Sequence, residues 1–216
     1  AAAGVDAGGG DVWTDPDLAN ASYDSVSFDM VQDGAPFDCF FKPDGTKMYV
    51  VGQGNDALYQ YSLSTAWDLS SASYDSVSFS LSTQDTATLG VFFKPDGTKF
   101  YIAGNVNDAI FEYDLTTAWD ISTASYSTNS FSVASQDTTV AGVFFKDDGS
   151  KMYVLGLAGD SVYQYSLSTN WDVSTASYDT KSVSTSPQGE TNPSGLFINP
   201  QGTKIWVSGT SNDTVA

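Results

Sequence analysis

The chain of 216 residues contains no histidine, no arginine, one cysteine and only two glutamates, Glu112 and Glu190. Without histidine no side chain has an unperturbed pKa near neutrality, and a Ser-His or Cys-His triad of the common kind cannot be assembled. Without arginine there is no bidentate grip on a phosphate or carboxylate. Cys39 has no partner for an internal disulfide. It stands where Val91 and Val143 stand in later copies of the same string, so it reads as a small buried apolar residue. No apolar run approaches the ~18 residues of a membrane-spanning helix. Positive charge is scarce: eight lysines face 24 aspartates and the two glutamates, a net charge of −18. Nucleic acid and anionic membrane both need a basic footprint, so neither is expected as a partner. The excess of Asp over Glu suits a chain of strands and turns, because Asp favours turns.

What the chain does contain is repetition. The string Phe40-Phe41-Lys42-Pro43-Asp44-Gly45-Thr46-Lys47-Met48-Tyr49-Val50-Val51-Gly52 returns at Phe92, Phe144 and Phe197, at offsets of 52, 52 and 53 residues. A fixed period of this length marks one supersecondary unit per copy, stacked on its neighbours. Within each unit two apolar runs flank a Pro-Asp-Gly-Thr turn, which predicts a hairpin of two buried strands. A second turn, Gly54-Asn55-Asp56, leads to Leu58–Leu63, where Tyr59, Tyr61 and Leu63 alternate with polar residues as in a half-buried strand. After a loop around Trp67-Asp68, residues Tyr74–Leu81 place Val77, Phe79 and Leu81 on one face and serines on the other, as in an outer, solvent-washed strand. Four antiparallel strands graded from apolar to polar make a β-propeller blade. A solenoid would use shorter repeats without that gradient.

The expected fold is therefore an all-β propeller of four-stranded antiparallel blades. Residues 1–10 read as a flexible Ala- and Gly-rich lead-in and 11–216 as propeller, with an outer strand at 23–30 and repeats starting near 37, 89, 141 and 194. The last copy supplies only its first two strands, so the ring is incomplete in this chain. Further repeats, or a second copy, would be needed to close it. Phe92, Phe144 and Phe197, at one place in each apolar run, should be buried between blades. Trp67, Trp119 and Trp171 recur at one blade position, which favours wedges between blades over exposed stacking platforms.

Two sets of polar residues recur at the same end of the blades. Asp56, Asp108, Asp160 and Asp213 occupy the turn between the second and third strands, and Gln32, Gln84, Gln136 and Gln188 precede the first strand. Together they form a candidate polar rim around one mouth of the central channel. Each Asp is expected to accept backbone N–H bonds in its turn while each Gln ties loops together. Calcium is the ion such a rim would take, yet no loop carries the alternating oxygen ligands of a calcium loop. No cofactor, no metal ligand set and no catalytic residue stand out.

The Phe-Lys-Pro-Asp-Gly-Thr-Lys-Met-Tyr-Val string resembles the Pro-Asp-Gly repeat of YVTN and lactonase-type propellers. The fuller unit, with Tyr-Gln-Tyr-Ser-Leu-Ser-Thr-Ala-Trp-Asp and Ser-Ala-Ser-Tyr, resembles tandem propeller repeats of surface and virion-associated proteins of marine bacteria and their viruses. The resemblance covers about residues 16 to 216. The Asp rim is similar to that of Trp-Asp-repeat propellers, which implies a structural Asp in the corresponding turn. Lactonase-like enzymes of this group use His, Arg or clustered acidic ligands, and this chain lacks the first two. The resemblance thus implies a non-catalytic module on a virion or cell surface, extracellular, binding a protein or glycan through its loops. The alternative is a metal-assisted hydrolase or lactonase-like propeller with carboxylate ligands in the channel.

Overall fold

Each Phe-Lys-Pro-Asp-Gly string folds around its glycine. In the first copy the Gly45 N–H donates to the Lys42 carbonyl at 2.8 Å, and Gly45 takes a φ of 72° that a side chain would strain. Asp44 closes the turn by accepting the Thr46 N–H at 3.0 Å and the Thr46 hydroxyl at 2.6 Å, and Lys42 pairs with its other oxygen at 2.7 Å. Gly97 and Gly149 repeat this geometry at φ 72° and 71°.

The computed structural model describes residues 24–211. The lead-in at 1–10, Tyr23 and Asp213 lie outside the described residues. The first blade comprises β1 (Pro36–Phe41), β2 (Lys47–Gly52), β3 (Ala57–Leu63) and β4 (Ala72–Ser80); the second β5 (Thr88–Phe93), β6 (Lys99–Gly104), β7 (Ala109–Leu115) and β8 (Ala124–Ser132). The third holds β9 (Val140–Phe145), β10 (Lys151–Gly156), β11 (Ser161–Leu167) and β12 (Ala176–Ser184); β13 (Pro193–Ile198) and β14 (Ile205–Gly209) begin a fourth. Strands pair antiparallel in sequence order within each blade. The β-propeller fold read from the repeat is the fold observed. The gradient is observed too: β6 is buried along almost its whole length, while β8 alternates between exposed and half-buried residues. In each outer strand a bulge admits one residue at positive φ, Ser76, Thr128 or Thr180.

Blades join through a tryptophan. After the third strand the chain turns at Trp119 with φ 66°, a conformation costly for a bulky residue, and lays its indole over Gly97. A Cβ on Gly97 would lie 2.4 Å from the indole nitrogen, so the ring needs the glycine twice, for its φ and for its missing side chain. Trp119 then stacks on Phe93 of its own blade and on Phe40 of the preceding one. Its carbonyl accepts the Tyr49 hydroxyl of the preceding blade at 2.6 Å. Trp171 repeats this over Gly149, with Phe145, Phe92 and a 2.7 Å bond from Tyr101. Just beyond each tryptophan an Asp caps a short 3-10 turn, Asp120 for Ile121–Thr123 and Asp172 for Val173–Thr175. The preceding blade bonds that turn as well: Ile121 N–H donates to Gln60 Oε1 at 3.1 Å, and Val173 N–H to Glu112 Oε2 at 3.0 Å.

The two ends depart from expectation, and among the described residues no further blade stands beside them. Residues 24–30 form no strand, since among the described residues no third strand stands beside them. They keep the outer-strand conformation nonetheless: Ser25 has φ 64°, as at the bulges, and Phe28 packs edge-on to Tyr61 as Phe79 does to Tyr113. Cys39 is exposed rather than buried: Val91 packs against the preceding blade, and among the described residues no blade precedes Cys39. Phe92 is buried and Phe144 half-buried, but Phe197 is 47 % exposed. Trp119 and Trp171 are the expected wedges, whereas Trp67 is 38 % exposed. Hence Trp119→Ala should destabilise the fold by about 3–5 kcal/mol and Trp67→Ala by less than half of that. Denaturant midpoints of the two variants check it, and equal losses would contradict the wedge.

Candidate functional site: rim and inner wall

The recurrent Asp and Gln residues do gather at one end of the blades, in different roles. Asp56, Asp108 and Asp160 have φ of 49°, 47° and 44°, a left-handed conformation that Asp tolerates better than most residues. Their carbonyls accept the N–H groups of Leu81, Val133 and Thr185 that end the outer strands. Their carboxylates do not cap the turn as expected. Oδ1 of Asp56 and of Asp108 is shielded from solvent with no hydrogen-bond partner, and Asp160 accepts the Ser186 hydroxyl at 3.1 Å. Burial, then the charges of Asp85 and Asp33, raises the Asp56 carboxyl; burial, then Asp137 and Asp85, raises that of Asp108. Gln32, Gln84 and Gln136 each accept a tyrosine hydroxyl from the third strand, Tyr61, Tyr113 and Tyr165, at 2.8, 3.2 and 3.2 Å. Gln188 ends a 3-10 turn at Ser186–Gln188; its side chain, like all of Asp213, lies outside the described residues.

The carboxylates that bind backbone in this rim stand one residue after each Gln. Asp33, Asp85 and Asp137 are almost fully buried. Asp85 accepts the N–H groups of Ala87, Val106 and Asn107 at 2.8, 3.2 and 2.9 Å, pinning the loop before β5 to the turn after β6. Asp33 and Asp137 do the same in their own blades. In the fourth copy Glu190, at a 53-residue offset from Asp137, takes the Asn192 and Ser211 N–H groups. These residues carried a sequence signal, the same 52-residue spacing as the Gln beside them. Among the described residues no three carboxylate or cysteine groups come together in a set that could hold a metal ion.

The inner wall is built from β1, β5, β9 and β13, side by side. Phe40, Phe92, Phe144 and Phe197 form a ladder across it, with successive ring centroids 5.5, 5.2 and 5.9 Å apart. Toward the Pro-Asp-Gly turns these rings and Pro95 line a cavity of about 310 Å³, with Lys146 at its edge. One carboxylate interrupts the wall. Asp38 of β1 is half-buried and reaches β5, where its Oδ2 accepts the Val91 N–H at 3.0 Å while Oδ1 accepts the Cys39 N–H at 2.8 Å. Burial raises its carboxyl to about 6, against the lowering effect of those two bonds.

Residues 32–216 match the model of the lactonase family of seven-bladed β-propellers. The chain belongs to that family. No curated protein sequence matches it. Among solved structures it is similar to a putative 6-phosphogluconolactonase from Bacteroides uniformis (13 % identity, TM-score 0.58, covering 83 % of this chain and 49 % of that one). It is also similar to a periplasmic gluconolactonase from Pseudomonas aeruginosa (12 % identity, TM-score 0.53, covering 83 % and 48 %). At such identities the likeness shows the fold. The chain spans about half the length of these structures.

Two variants separate the two kinds of rim carboxylate. Asp85→Ala leaves three N–H groups, of Ala87, Val106 and Asn107, without their acceptor and should cost about 3 kcal/mol. Asp108→Asn should do the reverse. A carboxyl raised in the folded state makes folding less favourable as pH rises above the ordinary carboxylate range, and Asn removes that dependence while tolerating positive φ. Melting temperatures at pH 4 and pH 8 check both: Asp108→Asn should gain on the parent only at the higher pH.

Proposed function

We propose that this chain is about half of a lactone-hydrolysing propeller, which opens a small lactone or related cyclic ester held against its inner wall. The observation that carries the reading is a cavity of about 310 Å³ on the inner wall of a lactonase-family propeller. That volume is at the lower end of ligand pockets and suits a single small ring. The relatives named as lactonases support the same chemistry. The family's seven blades and the exposed edges at Trp67 and Phe197 support closure of the ring by further repeats of this kind. The charge of −18 and a periplasmic relative support a setting outside the cytoplasm. No relative supports a virion or adhesion role.

The test is proton release from glucono-1,5-lactone and a panel of 1,4- and 1,5-lactones, followed at constant pH with the whole protein that carries this chain. Saturable hydrolysis above the spontaneous rate is expected for at least one lactone. Rates equal to the spontaneous ones across the panel would overturn the reading.

A further inference from the structure

Asp38 breaks the repeat at the one level where the inner wall is otherwise bare. The equivalent residues are Gly90, Gly142 and Gly195. Between the second and third blades a side chain has no room there, because a Cβ on Gly90 would lie 2.8 Å from the Gly142 Cα. Between the third and fourth blades there is room, since a Cβ on Gly142 would meet only the Leu155 side chain at 3.7 Å, yet of these three described interfaces only the first carries a functional group at this level. The bond to Val91 is not needed to join inner strands, since β5 and β9 pack together with glycine at this position. Two N–H donors also leave half of the carboxylate's roughly four lone-pair sites open to water or substrate.

Little offsets its charge. The adjoining β5 carries no ionisable side chain. The other neighbour, β2, offers Lys47, which is held by Asp75 at 2.9 Å, and Tyr49, whose hydroxyl is committed to the Trp119 carbonyl. On β1 itself the nearest ionisable group is the Cys39 thiol, which gives no compensation. A carboxylate so placed is a stability cost at neutral pH, and it is the kind of cost that accompanies acid and base work. Phe40, two residues along the same face of β1, lines the cavity.

We propose that Asp38 is the general base and then the general acid for ring opening at this wall, an assignment that rests on the lactone-hydrolase reading above. The Asp38 carboxylate takes a proton from a water molecule as the water oxygen bonds to the lactone carbonyl carbon. The tetrahedral intermediate then expels the ring oxygen, and that oxygen takes the proton back from the Asp38 carboxyl. One water is consumed, one hydroxy acid leaves, and Asp38 ends ionised as it began.

Asp38→Asn keeps the shape and an oxygen acceptor for Val91 but cannot carry the proton. In the whole protein kcat should fall about 100-fold or more while KM changes only a few-fold. The acid limb of kcat/KM, expected near the raised value of about 6, should vanish from the residual activity. The melting temperature at pH 8 should hold or rise, because an ionised buried group has been removed. A parent enzyme that is active beside an Asp38→Asn variant within threefold of it would overturn the assignment and leave the lactonase reading standing. A parent inactive on every lactone overturns both, before any variant is made. Should Asp38→Asn fail to fold, Asp38→Gly, the residue of the other copies, decides the matter by the same loss or retention of kcat.

Discussion

The contact on which the architecture depends is the indole of one tryptophan per repeat lying on the glycine of its own Pro-Asp-Gly turn. It fixes the loop between third and fourth strands against the hairpin between first and second, so each blade is clamped at its lower end. The same ring then meets the phenylalanine of the blade before, and the same peptide accepts that blade's tyrosine hydroxyl. Within a blade and between blades, cohesion thus converges on one residue held at positive φ. Such strain persists only where the surroundings over-determine it. Here stacking on both sides and a buried hydrogen bond do so.

A repeat of this kind places identical groups around a ring, and identical groups are poor at chemistry that needs one acid or base in one place. The rim shows what symmetry is used for. Asp33, Asp85 and Asp137 serve the same structural purpose in each blade, and the tyrosine-to-glutamine bonds beside them do likewise. Function is to be sought where the copies differ. Glu112 differs from Gln60 and Gln164, but it is buried, bonds Lys99 at 2.6 Å and still performs the Gln60 task of holding the next blade's turn. Asp38 differs from three glycines and stands on the inner wall two residues from Phe40, which lines the cavity, and the chemistry is assigned there.

The fold was legible because its determinants are local and recur: a Pro-Asp-Gly turn between apolar runs, alternation in Tyr74–Leu81, a tryptophan at a constant place. The turn position of Asp56, Asp108 and Asp160 is legible from the 52-residue spacing, whereas the chemistry of their carboxylates is not. Whether a carboxylate or its carbonyl accepts the neighbouring N–H depends on backbone φ, and the residue that captures the amides, Asp85, is one step from a Gln that drew attention first. The exposure of Cys39, Phe197 and Trp67 is hidden from the sequence for a different reason. Their equivalents are buried by the adjacent blade, and pattern within a repeat says nothing about whether a neighbour stands beside it. Asp38 is legible only once the copies are laid in register, where it faces Gly90, Gly142 and Gly195 as the exception.

The clamp itself is open to a direct measurement, a double-mutant cycle on Gly97→Ala and Trp119→Ala followed by equilibrium unfolding. Alanine at Gly97 drives a Cβ into the indole and strains φ, so it should be costly beside Trp119. Once the indole is gone only the strain remains. A coupling of about 1–3 kcal/mol between the two substitutions is the expected result for residues in such contact. Additive effects would contradict the clamp and return the tryptophan to the status of an ordinary core side chain.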